Sequence, residues 1–389
     1  MIKVRNYSGF YFLRTYGKIY HKGENMLKVK SLKEVSSEIG EELGIQKEFK
    51  RENGYFINDS IKPETRLTDN KIHADMFYRE NNRDNNSELS SWHFKSKSGY
   101  NSKYKNNKQY ANHYAEYIAY LILKQLGKKV CKAELGEIEI RNRYSNKPMK
   151  IQGVITRYEI AKNESIKDIK GIVEEYKKEN PVEYKEMTAG GKTNYEKNYT
   201  NIEIILKSLE YLYTKNGQKD KIPGMRKEFF DMCIFDLMFA NRDRTDDNFG
   251  LKVNQDTNEI EYYALYDNEQ ILGMQEEKKD IVRYMSNEKE YKRFKEKYLT
   301  SFIGVPEEVQ RTTPEKLLRH MLENYYEETI DSLEDIGRYK FSDLEEVLEV
   351  CPELSKEHKL FAKKIFLERQ KEFSKVLKEY DQKKDEQIR

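Results

Sequence analysis

The chain has 389 residues, 36% charged and 37% apolar, and its 71 basic and 68 acidic side chains leave a net charge of +3. That length suits two domains or one two-lobed enzyme, and the near-balance of charge argues against direct nucleic-acid binding, which would call for a strong basic surplus. Three scattered cysteines, Cys131, Cys233 and Cys351, indicate neither a disulfide framework nor a zinc site and point to a reducing, cytoplasmic setting. No apolar stretch follows a basic start and no run of about 18 apolar residues exists, so neither a cleaved signal nor a membrane span is expected. Secretion by a route without a cleaved signal stays open.

Residues 1–85 carry no sustained period. Gly9–Tyr16 reads as a strand and Leu32–Leu43 has helix-like spacing, so this part is expected to be an accessory segment. It closes on Asn81-Asn82-Arg83-Asp84-Asn85-Asn86, a loop composition. From Leu89 the pattern sharpens. Ser91–Lys95 reads as a strand, and Ser96–Lys108 is polar and basic. Lys95, Lys97, Lys103, Lys105 and Lys108 in that run suit a solvated loop at least as well as a phosphate cradle. Gln109–Leu126 is a helix with Tyr114, Tyr117, Ile118, Leu121 and Ile122 on one face, stopped by Gly127. Leu135–Ile140 and Ile151–Tyr158 read as strands joined by the turn-rich Asn142–Pro148.

After Glu159 the chain turns helical, with candidates at Ser165–Lys178 and Tyr199–Lys215 and a polar loop at Thr188–Asn194 between them. Gly190-Gly191-Lys192-Thr193 in that loop is not a P-loop, because Glu186 stands where its first glycine belongs and no apolar strand precedes it. Met225–Ala240 is apolar on nearly every side, as a helix buried in a larger domain would be. It runs into Asn241-Arg242-Asp243-Arg244-Thr245-Asp246-Asp247-Asn248. Phe249–Val253 and Ile260–Tyr266, flanking Asn254–Asn258, then form a hairpin signal that ends at Asp267. Lys316–Ile336, Ser342–Val350 and Lys356–Tyr380 complete a helical remainder with a fraying charged tail. The expected fold is α+β: a bilobal, protein-kinase-like arrangement with an accessory segment (1–85), a small mixed α/β lobe (86–160) and a larger, mainly helical lobe (161–389).

A buried helix, an Asn/Asp loop and a returning hairpin bring Asp243, Asn248 and Asp267 toward one point. Alone, the loop is a polar turn. A calcium loop would need a glycine that is missing. With the hairpin, the set matches the needs of phosphoryl transfer: oxygen ligands for Mg²⁺ from Asn248 and Asp267, and a carboxylate, Asp243, to orient an accepting hydroxyl. An Asp-x-x-x-x-Asn loop followed by a second Asp after a hairpin is the order found in protein kinases.

The segment resembles the HipA-like serine/threonine kinase family, whose loop reads roughly Asn-x-Asp-Arg-His-x-x-Asn-Phe. Asn241, Asp243, Arg244, Asn248 and Phe249 stand in register with it. A similar Asp-Arg-His-x-x-Asn loop occurs in lipid kinases of the phosphatidylinositol type. Under this resemblance Trp92-His93-Phe94-Lys95 is the strand bearing the ATP-phosphate lysine, and Glu116, on the helix ending in Gly127, pairs with Lys95. Arg157, Tyr158 and Glu159 lie where the strand leads into the adenine-binding hinge, and Asp267 is the second metal ligand. The resemblance covers about Leu89 to Gly273. The chain is closer to the shorter single-polypeptide bacterial relatives, including the secreted pro-inflammatory kinase type, than to full-length toxins. It implies ATP and Mg²⁺ as cofactors and a protein substrate. Because some family members are toxins of toxin–antitoxin operons, an antitoxin partner is also admitted. Thr245 stands in place of the family's His, Asp246 and Asp247 are extra acids, and no glycine-rich loop precedes Lys95. Gly99 and the stretch after it would then cover the phosphates, with Ser96, Ser98 and Ser102 as candidate phosphorylation sites. These departures keep two alternatives in view: a kinase-fold nucleotide-binding protein without turnover, and a small-molecule or lipid kinase.

Overall fold

The structure is a computed structural model. It describes residues 111–141, 148–161, 163–188, 200–306, 311–351 and 353–388, together with the strands at 50–52, 55–58, 64–67, 72–77 and 91–96. The expected elements at Gly9–Tyr16 and Leu32–Leu43, the basic run after Ser96, and most of the loops around 81–86, 142–148 and 188–194 lie outside the described residues.

The smaller lobe is built on a sheet. Its strands are β1 (Lys50–Glu52), β2 (Tyr55–Asn58), β3 (Glu64–Leu67), β4 (Ile72–Phe77) and β5 (Ser91–Ser96), then β6 (Lys132–Arg141) and β7 (Pro148–Tyr158) after helix α1 (Asn112–Gln125). The order is β1-β2-β6-β7-β5-β4-β3, so the strands between residues 50 and 77 extend the sheet of β5–β7 on both sides. Among these described strands only β2 with β6 runs parallel. β5 pairs with β7 in a register that sets Lys95 opposite Val154. Helix α1 packs across β6 and β7. Its Ile118, Ala119, Leu121, Ile122 and Leu123 are almost wholly buried, each Leu and Ile contributing roughly 1.5–3 kcal/mol.

Gly127 ends α1 as its sequence implies. It has φ +71°, its N–H donates to Lys124 O at 3.0 Å, and the Lys128 N–H donates to Leu123 O at 2.8 Å. That bond pair is the Schellman closure, which needs a residue at ease in left-handed space. The next residues cross to the larger lobe: Val130 bridges Leu265, and Cys131 N–H donates to Leu265 O at 2.9 Å.

The larger lobe begins with β8 (Glu164–Asp168), then α2 (Ile169–Glu179), α3 (Pro181–Thr188), α4 (Ile202–Lys215) and α5 (Ile222–Met238). The hairpin β9 (Gly250–Asn254) and β10 (Ile260–Tyr262) follows, pairing with β8 in the order β10-β9-β8. Helices α6 (Lys278–Ser286), α7 (Glu288–Tyr298), α8 (Pro314–Asn324), α9 (Tyr326–Gly337), α10 (Phe341–Glu349) and α11 (Lys356–Ile388) complete it. Helix α5 is the spine. Phe229, Phe230, Met232, Cys233, Ile234, Phe235, Leu237 and Met238 are buried on all its sides. Just beyond it, Phe239 stacks on Phe366 of α11 with ring centroids 5.4 Å apart.

Three expectations are corrected here. The helix expected at Ser165–Lys178 begins only at Ile169, because Glu164–Asp168 pairs with β9 instead. Asp168 then caps α2, accepting the Gly171 N–H at 2.7 Å. The single helix expected over Lys316–Ile336 is two, broken at Tyr325. The tail past Tyr380 continues α11 to Ile388.

Gly250 is the point of closest approach between β8 and β9. A Cβ placed there would lie 2.2 Å from Lys167 O and 2.9 Å from the Asp168 Cα, both backbone atoms that cannot step aside. Gly250→Ala should therefore cost about 1–3 kcal/mol through overpacking, read as a lowered urea midpoint. A midpoint equal to wild type would contradict this close contact.

Candidate active site

The site is assembled around a guanidinium. Helix α5 ends on Phe239, and Ala240 turns the chain with φ +52°. The loop then folds back onto the helix it left. The Asn241 N–H donates to Asp236 O, and Asn241 Nδ2 to Asp236 Oδ1, both at 2.8 Å. Arg244 is 1% exposed and grips the same carboxylate with two nitrogens, Nε to Oδ2 at 2.8 Å and Nη2 to Oδ1 at 3.0 Å. Its Nη1 donates to Asn248 O at 2.9 Å and to Tyr266 O at 2.8 Å, and its Nη2 also reaches Asn268 Oδ1 at 2.6 Å. Burial alone would pull the guanidinium down, but the Asp236 carboxylate more than reverses this and keeps it charged.

One side chain thus fastens both halves of the expected site. Nη1 lays Asn248 beside Tyr266, and Asp267 follows Tyr266 directly. Asn248 Nδ2 donates to Asp243 O at 2.7 Å, which commits the amide nitrogen and leaves the amide oxygen as its acceptor end. The far side of the loop is held by α2 and the hairpin. Lys170 N–H donates to Asp246 O at 3.1 Å, Ile169 N–H to Phe249 O at 3.1 Å, and Tyr266 Oη to Asp247 O at 3.0 Å. Arg242 pins the near side, with Nε to Gln270 Oε1 at 2.7 Å and its guanidinium over the Tyr298 ring.

Asp267 itself has φ +56°, and Leu272 five residues on has φ +53°. Aspartate tolerates this region better than most residues, and Leu272 is held there by its N–H bond to Phe239 O at 2.8 Å. Backbone in this region costs energy and persists where the surroundings fix it. With Ala240, three such residues bracket the loop.

Lys95, on β5, is buried and meets this turn. Its Nζ is 2.6 Å from Asp267 Oδ1 and 3.1 Å from Glu269 Oε1. Burial opposes the charge on Lys95, and Asp267, then Glu269, overcome it and raise the ammonium well above its ordinary range. Glu116 on α1 also reaches the turn, but by a different contact: its Oε2 accepts the N–H of Asn268. Burial pushes the Glu116 carboxyl up to about 7, with Lys95 opposing and Asp267 and Glu269 adding to the shift. The expected direct Lys95–Glu116 pair is therefore replaced by Lys95 with Asp267 and Glu269.

The three hinge residues divide. Neighbouring residues on a strand point to opposite faces. In the register that sets Lys95 opposite Val154 and Ser91 opposite Tyr158, Tyr158 falls on the Lys95 face of the sheet, where burial raises its hydroxyl, with Lys95 opposing and Asp267 adding. Arg157 and Glu159 instead line a cavity of about 460 Å³ with Lys132, Lys252 and Tyr263, where Lys132 Nζ meets Glu159 Oε1 at 2.9 Å. Asp236, Asn268 and Glu269 are the site residues that motif matching passed over. One signal was available for Asp236, since a carboxylate within the apolar run Met232–Phe239 needs a buried cation.

Among the described residues no group of three or more His, Cys, Asp and Glu side chains could hold a metal ion by itself. The donors at the loop are instead one carboxylate with 29% side-chain exposure, Asp267, and the Asn248 amide oxygen. A hard oxygen pair of this kind fits Mg²⁺ brought with phosphates, since that ion commonly takes one or two protein ligands and completes its shell from substrate and water.

No protein-family model matches the sequence, and no curated protein matches it. Among solved structures the chain is similar to the Helicobacter pylori proinflammatory kinase CtkA, with TM-score 0.59 and 19% identity over 82% of this chain and 93% of that one. The HipA of a Shewanella oneidensis MR-1 toxin–antitoxin system, in a complex with HipB and operator DNA, gives TM-score 0.43 and 13% identity over 97% of this chain and 80% of that one. The likeness to CtkA carries the fold: the chain has the bilobal, kinase-like architecture that its sequence leads one to expect.

The Asp236–Arg244 pair makes a stability prediction. Arg244→Met leaves a buried carboxylate without its cation and should cost about 3–5 kcal/mol. Asp236→Leu combined with Arg244→Met should recover part of that loss, because the stranded charge is gone. Both are read from urea unfolding. An Arg244→Met midpoint equal to wild type would contradict the clamp.

Proposed function

We propose that this chain is an ATP- and Mg²⁺-dependent serine/threonine protein kinase of the HipA-like type. The observation that carries the reading is the buried Arg244, whose Nη1 bonds both Asn248 O and Tyr266 O and so ties the loop of Asp243 and Asn248 to Asp267. Phosphoryl transfer asks a protein mainly for positioning and charge, and a rigid oxygen-bearing loop facing a buried lysine supplies both.

In this reading Asp243 orients the acceptor hydroxyl and receives its proton as the oxygen attacks the γ-phosphorus, while the bond from that phosphorus to the β,γ-bridging oxygen breaks and ADP leaves. Lys95 meets the ATP phosphates, and Tyr158 lines the nucleotide side of the cleft. Asn248 and Asp267 would hold Mg²⁺, which supplies neutralisation of phosphate charge. The polypeptide from Arg157 to Glu159 would offer backbone groups to the adenine. The likeness to CtkA supports a kinase-type chemistry, and the HipA-like loop supports a protein hydroxyl as acceptor.

A second reading, nucleotide binding without turnover, is favoured by one feature. Thr245 stands where related loops carry His, and its hydroxyl bonds Asp247 at the surface.

The test is incubation of purified protein with labelled ATP and Mg²⁺, alone and with generic protein, lipid and small-molecule acceptors. Label should enter protein in the wild type. It should fall by about 100-fold or more in Asp243→Ala, as expected for loss of a proton-accepting group, and in Asp267→Ala. Asp243→Ala should still bind ATP. Equal label in wild type and both variants would sink catalysis by this loop, and ATP binding with no label in any protein would establish the second reading.

A further inference from the structure

Two carboxylates meet the Lys95 ammonium, a third holds the turn that carries them, and the three are not equivalent. Asp267 faces the cleft, its side chain 29% exposed, and sits 2.6 Å from Lys95 Nζ. Glu269 is buried, with side-chain exposure of 5%, and its Oε1 lies 3.1 Å from the same nitrogen. Glu116 is 1% exposed and is engaged by the backbone N–H of Asn268. The helix glutamate thus holds the Asp267 turn, not the lysine.

This arrangement creates a conflict that the remaining carboxylate resolves. Asp267 cannot serve fully as counter-ion to Lys95 and as ligand to a divalent cation, because the two positive charges repel and compete for the same oxygens. A cation on Asp267 would release Lys95. A buried ammonium needs an opposite charge beside it; bound phosphates would supply one, but a fixed carboxylate is needed to hold the ammonium in place before they arrive and to aim it at them. Glu116 is committed to Asn268. Glu269 is already 3.1 Å away, is shielded from water, and lies two residues beyond Asp267 on the same turn, itself fixed through Asn268 by Arg244 and Glu116.

We propose that Glu269 is the positioning residue for Lys95, holding its ammonium toward the nucleotide phosphates when Asp267 turns to the metal, while Glu116 positions the metal-binding turn through the Asn268 N–H. The assignment rests on the reading of the chain as an ATP- and Mg²⁺-binding protein. It divides two tasks between two glutamates: Glu269 serves nucleotide affinity and Glu116 serves metal affinity.

The division predicts a crossed pattern, which a general loss of structure would not give. ATP binding in saturating Mg²⁺, and the free Mg²⁺ needed for half-maximal binding at saturating ATP, are measured by calorimetry on the full chain. Glu269→Gln should raise the ATP Kd about tenfold, as for a lost charge contact, and shift the Mg²⁺ requirement less than threefold. Glu116→Ala should raise the Mg²⁺ requirement by more than it raises the ATP Kd. Glu269→Asp keeps the charge one methylene shorter, so its ATP Kd should fall between wild type and Glu269→Gln. It also serves as the test if Glu269→Gln does not fold, and a wild-type Kd in Glu269→Gln, or in Glu269→Asp under that condition, would overturn the assignment. A Glu116→Ala variant that loses ATP affinity in place of Mg²⁺ affinity would overturn it too. A wild-type protein that binds no ATP would instead remove the nucleotide reading beneath it.

Discussion

The buried contact between Arg244 and Asp236 is the interaction on which the rest of the site depends. A guanidinium sealed from water is tolerable only with a matched carboxylate and its remaining donors satisfied. Asp236 meets the first demand with both oxygens, and Asn248 O, Tyr266 O and Asn268 Oδ1 meet the second. Those partners come from the helix, the loop and the segment after the hairpin. The need to satisfy one cation therefore draws three stretches of chain together. Lysine could not do this, because the task needs several donors in a fixed plane.

The cost of the arrangement shows in the backbone. Ala240, Asp267 and Leu272 all have positive φ without being glycine. They lie where the chain leaves α5, where it presents Asp267, and where it returns to the core. Leu272 N–H bonds Phe239 O and so closes the circuit onto the end of α5. The dense aromatic packing around Phe235, Phe239 and Phe366 offsets such local strain. The spine helix is thus both core and anchor: its apolar faces stabilise the larger lobe, and its carboxylate at Asp236, near the C-terminal end, orients the loop.

Much of this was legible in the sequence, and the rest was not for definite reasons. The loop, the hairpin, the glycine closure of α1 and the buried helix are local patterns, and each stands where its residues imply. The break at Tyr325 has no glycine or proline to mark it. Glu164–Asp168 is a strand because β9 lies beside it, a long-range fact that periodicity does not carry. The Lys95–Glu116 pair was expected from resemblance, yet spacing along the chain cannot say which of several carboxylates reaches an ammonium. Asn268 and Glu269 belong to no motif that the sequence offers. Only the fold shows them to be buried, with Asn268 bridging Arg244 and Glu116 and Glu269 facing Lys95.

The central claim is that the clamp presents one site, with Asn248 and Asp267 on a divalent cation and Lys95 on nucleotide phosphate. The most direct measurement is a crystal structure with a non-hydrolysable ATP analogue and Mn²⁺, collected for anomalous scattering. The account predicts a manganese peak within bonding distance of Asn248 Oδ1 and an Asp267 carboxylate oxygen, with Lys95 drawn off Asp267 onto phosphate. A nucleotide bound elsewhere, or bound in the cleft with Lys95 still on Asp267 and no metal beside Asn248, would contradict it.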